Sequence, residues 1–266
     1  MGMTTEYLML KVLHRFFYAW LFLTKLPAPS LPKATKEDWG RISPYFTLIG
    51  FMLGLILYFF AKVLLYFHFP ILFSALLVLL LWNLITGCLH LDGLMDTFDG
   101  INCQEEARKI DAMRDSRIGA FGAIAGIFLL LFKLVTLCTI ILNKMFFVLI
   151  ASLIIGRLIA VYSFTFIGRN KNSGISSSLL LNGVKKPQDF LINLFIFLIL
   201  LAFGFFHFHL NYFYLWLVFI SLITSLVWTY WLNSHFKGHT GDTFGALIEL
   251  SEVTVLSLGV IFKFLL

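Results

Sequence analysis

The sequence predicts an all-α protein: a polytopic integral membrane bundle of about seven transmembrane helices behind an N-terminal interfacial helix. Three observations predict it. The chain of 266 residues is 60% apolar and 13% charged, with a mean hydropathy of +0.92, a balance suited to lipid rather than water. Apolar runs long enough to cross a bilayer alternate with short polar connections. Basic residues collect on alternate connections, as the positive-inside rule requires.

In order, residues 7–24 are apolar but interrupted by Lys11, His14 and Arg15, which suits a helix lying in the interface and does not resemble a cleavable leader. Pro27, Pro29 and Pro32 exclude a regular helix from the polar linker that follows. Spans are expected at about 43–67, 70–91, 119–142, 145–167, 189–209, 211–233 and 247–265. The second is expected to run straight into the acidic stretch after it. Polar loops cover 168–188 and 233–246. One catalytic domain thus fills 1–266, with helix and linker in 1–42 and the bundle in 43–266. Starting with residues 25–41 inside, the inner connections hold 13 basic residues and the outer turns one, Lys144. All three large polar connections then face the cytoplasm. The net charge of +6 is accordingly a topology signal, and no nucleic-acid partner is expected. Cys88, Cys103 and Cys138 have neither disulfide-framework nor zinc spacing.

Chemistry concentrates in residues 90–122. Seven of the 14 acidic residues lie between Asp92 and Asp115. On a helix, Asp92, Asp96 and Asp99 fall within about 60° of arc. Clustered carboxylates repel unless a cation neutralises them, and an all-oxygen set favours a hard ion such as Mg²⁺. Arg108, Lys109, Arg114 and Arg117 follow and suit phosphate. Carboxylates for Mg²⁺ with Arg for phosphate are the parts of a phosphoryl-transfer site. A solvated mixed-charge helix would share this composition, but the surrounding spans disfavour it. Asp242, Glu249 and Glu252 form a second cluster on one face, provided the last helix starts early enough. Glu249 and Glu252 must face a cation or a wet cavity, or pair with Lys133 or Arg157 and hold helices together. Gly119, Gly122, Gly126, Gly238, Gly241 and Gly245 serve either helix packing and turns or ligand contact. His90, His235 and His239 are weak signals taken singly.

The runs HLDGLMDTFDG and DSRIGAFGAIA, followed by KGHTGDTFGALIELSE, resemble the cobalamin synthase family, the adenosylcobinamide-GDP ribazoletransferases. The early FLTKLPAP and PYFTLIGFMLG resemble its N-terminal region, so the likeness covers nearly the whole chain. Met95 and Phe98 stand where smaller residues are usual. The resemblance implies an integral membrane enzyme that joins adenosylcobinamide-GDP to α-ribazole, or its 5′-phosphate, with release of GMP and a requirement for Mg²⁺. The site expected from residues and resemblance together has His90, Asp92, Asp96 and Asp99 as catalytic groups. Arg114, Asp115, Arg117, Gly119, Gly241 and Asp242 bind substrate. Asp92, Asp96 and Asp99 hold metal, with Glu249 and Glu252 as further ligands. The lipid bilayer is the expected surrounding, and a homo-oligomer is left open. Two alternatives remain: a CDP-alcohol phosphotransferase-like enzyme, whose Ala-Arg pair after the first Asp-Gly is absent here, and a cation-coupled transporter.

Overall fold

The structure, a computed structural model, describes residues 5–105, 108–115, 117–168, 170, 187–208 and 212–264. The expected basic residues Arg169, Lys171, Lys185 and Lys186, and the outer turn near 210, lie outside the described residues. Among the described residues there is helix and no strand. The helices are α1 (Thr5–Leu23), α2 (Lys36–Trp39), α3 (Phe46–Tyr66), α4 (Ile71–Thr86), α5 (Leu89–Asn102) and α6 (Lys109–Met113). They continue with α7 (Ala120–Leu142), α8 (Phe146–Phe166), α9 (Pro187–His207), α10 (Phe213–Phe236) and α11 (Gly241–Phe264). Among the described residues six stretches are long and apolar enough to cross a membrane, and α4 with α5 makes a seventh if the two are taken together.

The N-terminal helix α1 is not among those spans. Its charge is used locally. Arg15 Nε donates to Asp38 Oδ1 at 3.2 Å and Nη2 to Glu37 Oε1 at 3.1 Å, tying α1 to α2. Further along the same side, Tyr18, Ala19 and Leu23 are buried in the bundle core.

At the centre stands α8, buried along almost its whole length from Phe146 to Phe164. It is largely apolar on every side, as a helix enclosed by others must be, with Arg157 as its buried charge. Helices α3, α9 and α11 pack around it. The start of α9 is fixed by a buried amide: Asn193 Oδ1 accepts the Thr47 N–H at 3.0 Å, and its Nδ2 donates to the Ser43 carbonyl at 2.9 Å. This satisfies one of the orphan donors at the start of α3.

One expectation is corrected. The second span does not run straight into the acidic stretch: the chain turns by 86° between α4 and α5. Gly87 and Cys88 both take left-handed conformations, with φ of 62° and 55°. The Cys88 N–H donates to the Asn83 carbonyl at 2.9 Å, closing α4. Glycine reaches this conformation at little cost, and a Cβ on Gly87 would also lie 2.5 Å from Lys25 Cγ. The break lets the 14-residue α5, with its three aspartates, leave the apolar direction that the 16-residue α4 follows.

The polar connections meet at one end of the bundle. The Asn170 N–H donates to the His239 carbonyl at 2.9 Å, and the His239 N–H to the Gly168 carbonyl at 3.2 Å. The segment after α8 thus joins the turn before α11, while the Lys25 N–H reaches the Ile85 carbonyl at 2.7 Å.

Candidate active site

The site is made where α5 crosses the start of α11. Its spacing is set by glycine: a Cβ on Gly93 would lie 2.7 Å from the Asp242 carbonyl oxygen, and one on Gly245 would lie 3.1 Å from the His90 carbonyl oxygen. The two backbones are in contact, so Asp242 joins the aspartates of α5 in one site. Helix α11 begins at Gly241 and includes Asp242 in its first turn, as the shared-face reading requires. The Asp96 carboxyl feels the charges of Asp92, Asp242 and Asp99, and Arg114 acts on Asp242. Gly93→Ala should wedge the helices apart, because the obstructing atoms are backbone and cannot rotate away. The expected loss is about 1–3 kcal/mol of stability together with most of the activity, measured by melting in detergent beside turnover.

The three aspartates of α5 are not equivalent. Asp92 is exposed, while Asp96 and Asp99 are half-buried. The two carboxylate oxygens of Asp99 accept the backbone N–H groups of Gly119 and Gly122, each at 2.8 Å. Asp99 therefore caps α7, placing a negative charge against orphan donors at the positive end of that helix. Gly119 and Gly122 are the receptacle: a Cβ would stand 2.2 Å and 2.4 Å from the Asp99 oxygens. Gly126, one turn on, lies against Met95. Of the two readings of this glycine row, helix packing is the one that these contacts display.

Glu249 and Glu252, expected as further metal ligands, are placed elsewhere. They lie inside the bundle with Lys133 Nζ 2.6 Å from a carboxylate oxygen of each. Arg157 pairs with Glu252. Lys133 also sits over the Trp82 ring at 4.2 Å. Two acids and two bases neutralise one another where an isolated charge would be costly. The ion-pair reading of Glu249 and Glu252, left open by the sequence, is the one with contacts behind it.

Arg117, expected at phosphate, forms an exposed pair with Asp115, with Nη2–Oδ2 at 2.7 Å and Nε–Oδ1 at 3.0 Å. Hydrogen bonds from Arg117 bring the Asp115 carboxyl down to about 2. Arg114, at the end of α6, is the basic residue whose charge reaches Asp242. His235 lies on α10, its ring 4.8 Å from Trp231. His239 is buried in the turn before α11 with Nδ1 3.2 Å from Thr243 Oγ1. Burial pushes it down to about 4, so it is uncharged at neutral pH.

Beside the crossing lies a cavity of ≈ 220 Å³. Asp92, Asp242 and Gly241 line it together with His90, Phe22, Phe46, Phe164 and Phe244. His90 is buried and its Nδ1 has no hydrogen-bond partner. Sequence reasoning missed this aromatic wall. Phe22, Phe46, Phe164 and Phe244 come from α1, α3, α8 and α11, and no spacing links residues so far apart in a chain with 31 phenylalanines.

Among the described residues, no three His, Cys, Asp or Glu side chains converge to enclose a metal. The donor set nonetheless fits Mg²⁺ in its usual manner at phosphates, where one or two carboxylates suffice and water and substrate oxygens complete the shell. Asp96 and Asp242, whose charges act on one another, are the carboxylates that could hold it.

Fold and site together define a polytopic helical membrane protein with a carboxylate cluster and an aromatic cavity at one end of its spans. Comparison with known proteins gives the family. The family description cobalamin-5-phosphate synthase matches residues 15–260, and the chain belongs to that family. An adenosylcobinamide-GDP ribazoletransferase of Thermoanaerobacter pseudethanolicus is 32% identical over 247 residues, covering 91% of this chain and 95% of that one. Proteins of the same name from Trichormus variabilis and Clostridium botulinum (strain Langeland) are each 31% identical, covering 89% and 93% of this chain and 92% and 98% of their own. No solved structure matches.

Proposed function

We propose that the protein is a Mg²⁺-dependent adenosylcobinamide-GDP ribazoletransferase. The observation that carries this reading is the Gly93–Asp242 contact, which joins the two resemblance-bearing motifs into one acidic site. The names of the relatives supply the substrates. In the reaction, a ribazole hydroxyl oxygen forms a bond to the cobinamide-side phosphorus of the diphosphate. The bond from that phosphorus to the bridging oxygen breaks, and GMP leaves with the electron pair.

Each residue has a task. Asp96 and Asp242 would hold Mg²⁺, which when bound neutralises charge on the diphosphate and leaving oxygens. Asp92, exposed at the cavity, takes the proton of the attacking hydroxyl. Arg114 holds non-bridging phosphate oxygens, which its charge favours. Asp99 keeps α5 seated on α7 and so fixes Asp96 one turn and Asp92 two turns before it. Glu249 and Glu252, already engaged by Lys133 and Arg157, lend no support to cation-coupled transport. Purified protein given both substrates should consume adenosylcobinamide-GDP only when α-ribazole is present, and mass spectrometry should find the joined cobamide. Consumption without acceptor, or no joined product, would count against the assignment.

The site is proposed to face the cytoplasm across a prokaryotic plasma membrane. Support comes from Lys25, Arg108, Lys109, Arg114 and Lys237, which belong to connections at the site's end, against Lys62, Lys144 and Lys263 toward the other end. In a cysteine-free background, Gln104→Cys should resist a membrane-impermeant maleimide in intact cells, and Lys144→Cys should react. The reverse pattern would invert the topology.

A further inference from the structure

We propose that the ≈ 220 Å³ cavity beside the crossing is the subsite for the flat aromatic base of the nucleoside acceptor, with His90 as its polar contact. The inference rests on the ribazoletransferase reading and assigns one half of the site within it.

Size is the first argument. An apolar cavity of about 150 Å³ holds one benzene ring. The space here suits a fused bicycle and excludes a corrin macrocycle or a whole nucleotide. Wall chemistry is the second. Phe22, Phe46, Phe164 and Phe244 surround the cavity with aromatic rings, which suit a flat aromatic guest. Among the described residues no lysine or arginine lines the cavity, so a phosphate would find no countercharge from them inside. The third argument is the hydrogen-bond inventory. His90 is 4% exposed with an orphaned Nδ1, and a buried polar atom without a partner costs stability unless something completes it. A ribosylated benzimidazole has one free ring nitrogen, an acceptor, which an Nδ1–H turned to the cavity surface would satisfy. A guanine presents several donors and acceptors, most of which these walls would leave unpaired. Finally, Asp92 and Asp242 line the same cavity. A base held there places its ribose at the carboxylates, where the attacking hydroxyl is needed.

Gly241 gives a clean test, because a Cβ added there meets nothing within 4 Å although the residue lines the cavity. Gly241→Leu should fill the space without disturbing the packing. The full-length protein in liposomes should show a KM for α-ribazole raised by about tenfold or more, as for a hydrophobic pocket that loses its guest. The KM for adenosylcobinamide-GDP should stay within about twofold of wild type. His90→Gln should likewise raise the acceptor KM while largely sparing kcat. Free benzimidazole should compete with α-ribazole and not with the diphosphate substrate.

Shifts confined to the diphosphate substrate, or equal for both substrates, would overturn the assignment. A collapse of kcat in His90→Gln at unchanged acceptor KM would make His90 the base and overturn its proposed role. Wild-type turnover with both variants unaffected would remove the subsite alone. Absence of GMP release from wild type would remove the ribazoletransferase reading beneath it.

Discussion

Asp96→Asn should lower the rate of GMP release by about 100-fold or more, as removal of a principal electrostatic element of an active site does, while the protein melts at the wild-type temperature. Asp96 receives the fields of Asp92, Asp242 and Asp99 at once. Removing its charge relieves repulsion in the apo protein and takes away a carboxylate that Mg²⁺ would use. The comparison that gives the result meaning is Asp99→Asn. That carboxylate accepts two backbone N–H groups, from Gly119 and Gly122. An asparagine can accept through its carbonyl oxygen but turns an NH₂ toward the second donor. The cap loses one bond, at about 1–3 kcal/mol, and the melting temperature should fall. Activity and stability thus part company between two aspartates three residues apart on one helix. Equal behaviour of the two variants in both measurements would contradict the assignment of roles.

Glu252→Gln should be the most destabilising single substitution in the bundle interior. Glu252 is fully buried and is shared by Lys133 and Arg157. Neutralising it leaves two buried cations with only Glu249 between them, and breaking a buried ion pair costs about 3–5 kcal/mol. Thermal melting in detergent, or the yield of folded protein, reads this directly. Combining Glu252→Gln with Lys133→Met restores charge balance around Arg157 and Glu249 and should recover a large part of the loss. A double variant no more stable than the single one would mean that the four charges are not coupled.

Much of this was legible in the chain. The spans follow from hydropathy alone, because a bilayer leaves a helix few alternatives. Spacing put Asp92, Asp96 and Asp99 on one face, and all three lie within α5. The expectation that the last helix begins early enough to hold Asp242 is met by its start at Gly241. What spacing could not show is which carboxylates are free. Asp99 is engaged by backbone N–H groups twenty and more residues away, and glycines that receive a carboxylate look in sequence like glycines that pack helices. The break after α4 was hidden because only Gly87 punctuates an otherwise continuous run into LHLDG. Glu249 and Glu252 needed a partner, and only the packing of α7 and α8 against α11 selects Lys133 and Arg157 over a metal. The aromatic cavity had no one-dimensional signal, since four helices each contribute a single phenylalanine.

The most direct test of the central claim is GMP release against Mg²⁺ concentration. Wild-type protein in liposomes, supplied with adenosylcobinamide-GDP and α-ribazole, should release GMP in step with joined product, fall silent in EDTA and recover when Mg²⁺ is restored. Undiminished release in EDTA from protein stripped of divalent ions would contradict the account of Asp96 and Asp242 as carboxylates that act through a bound cation.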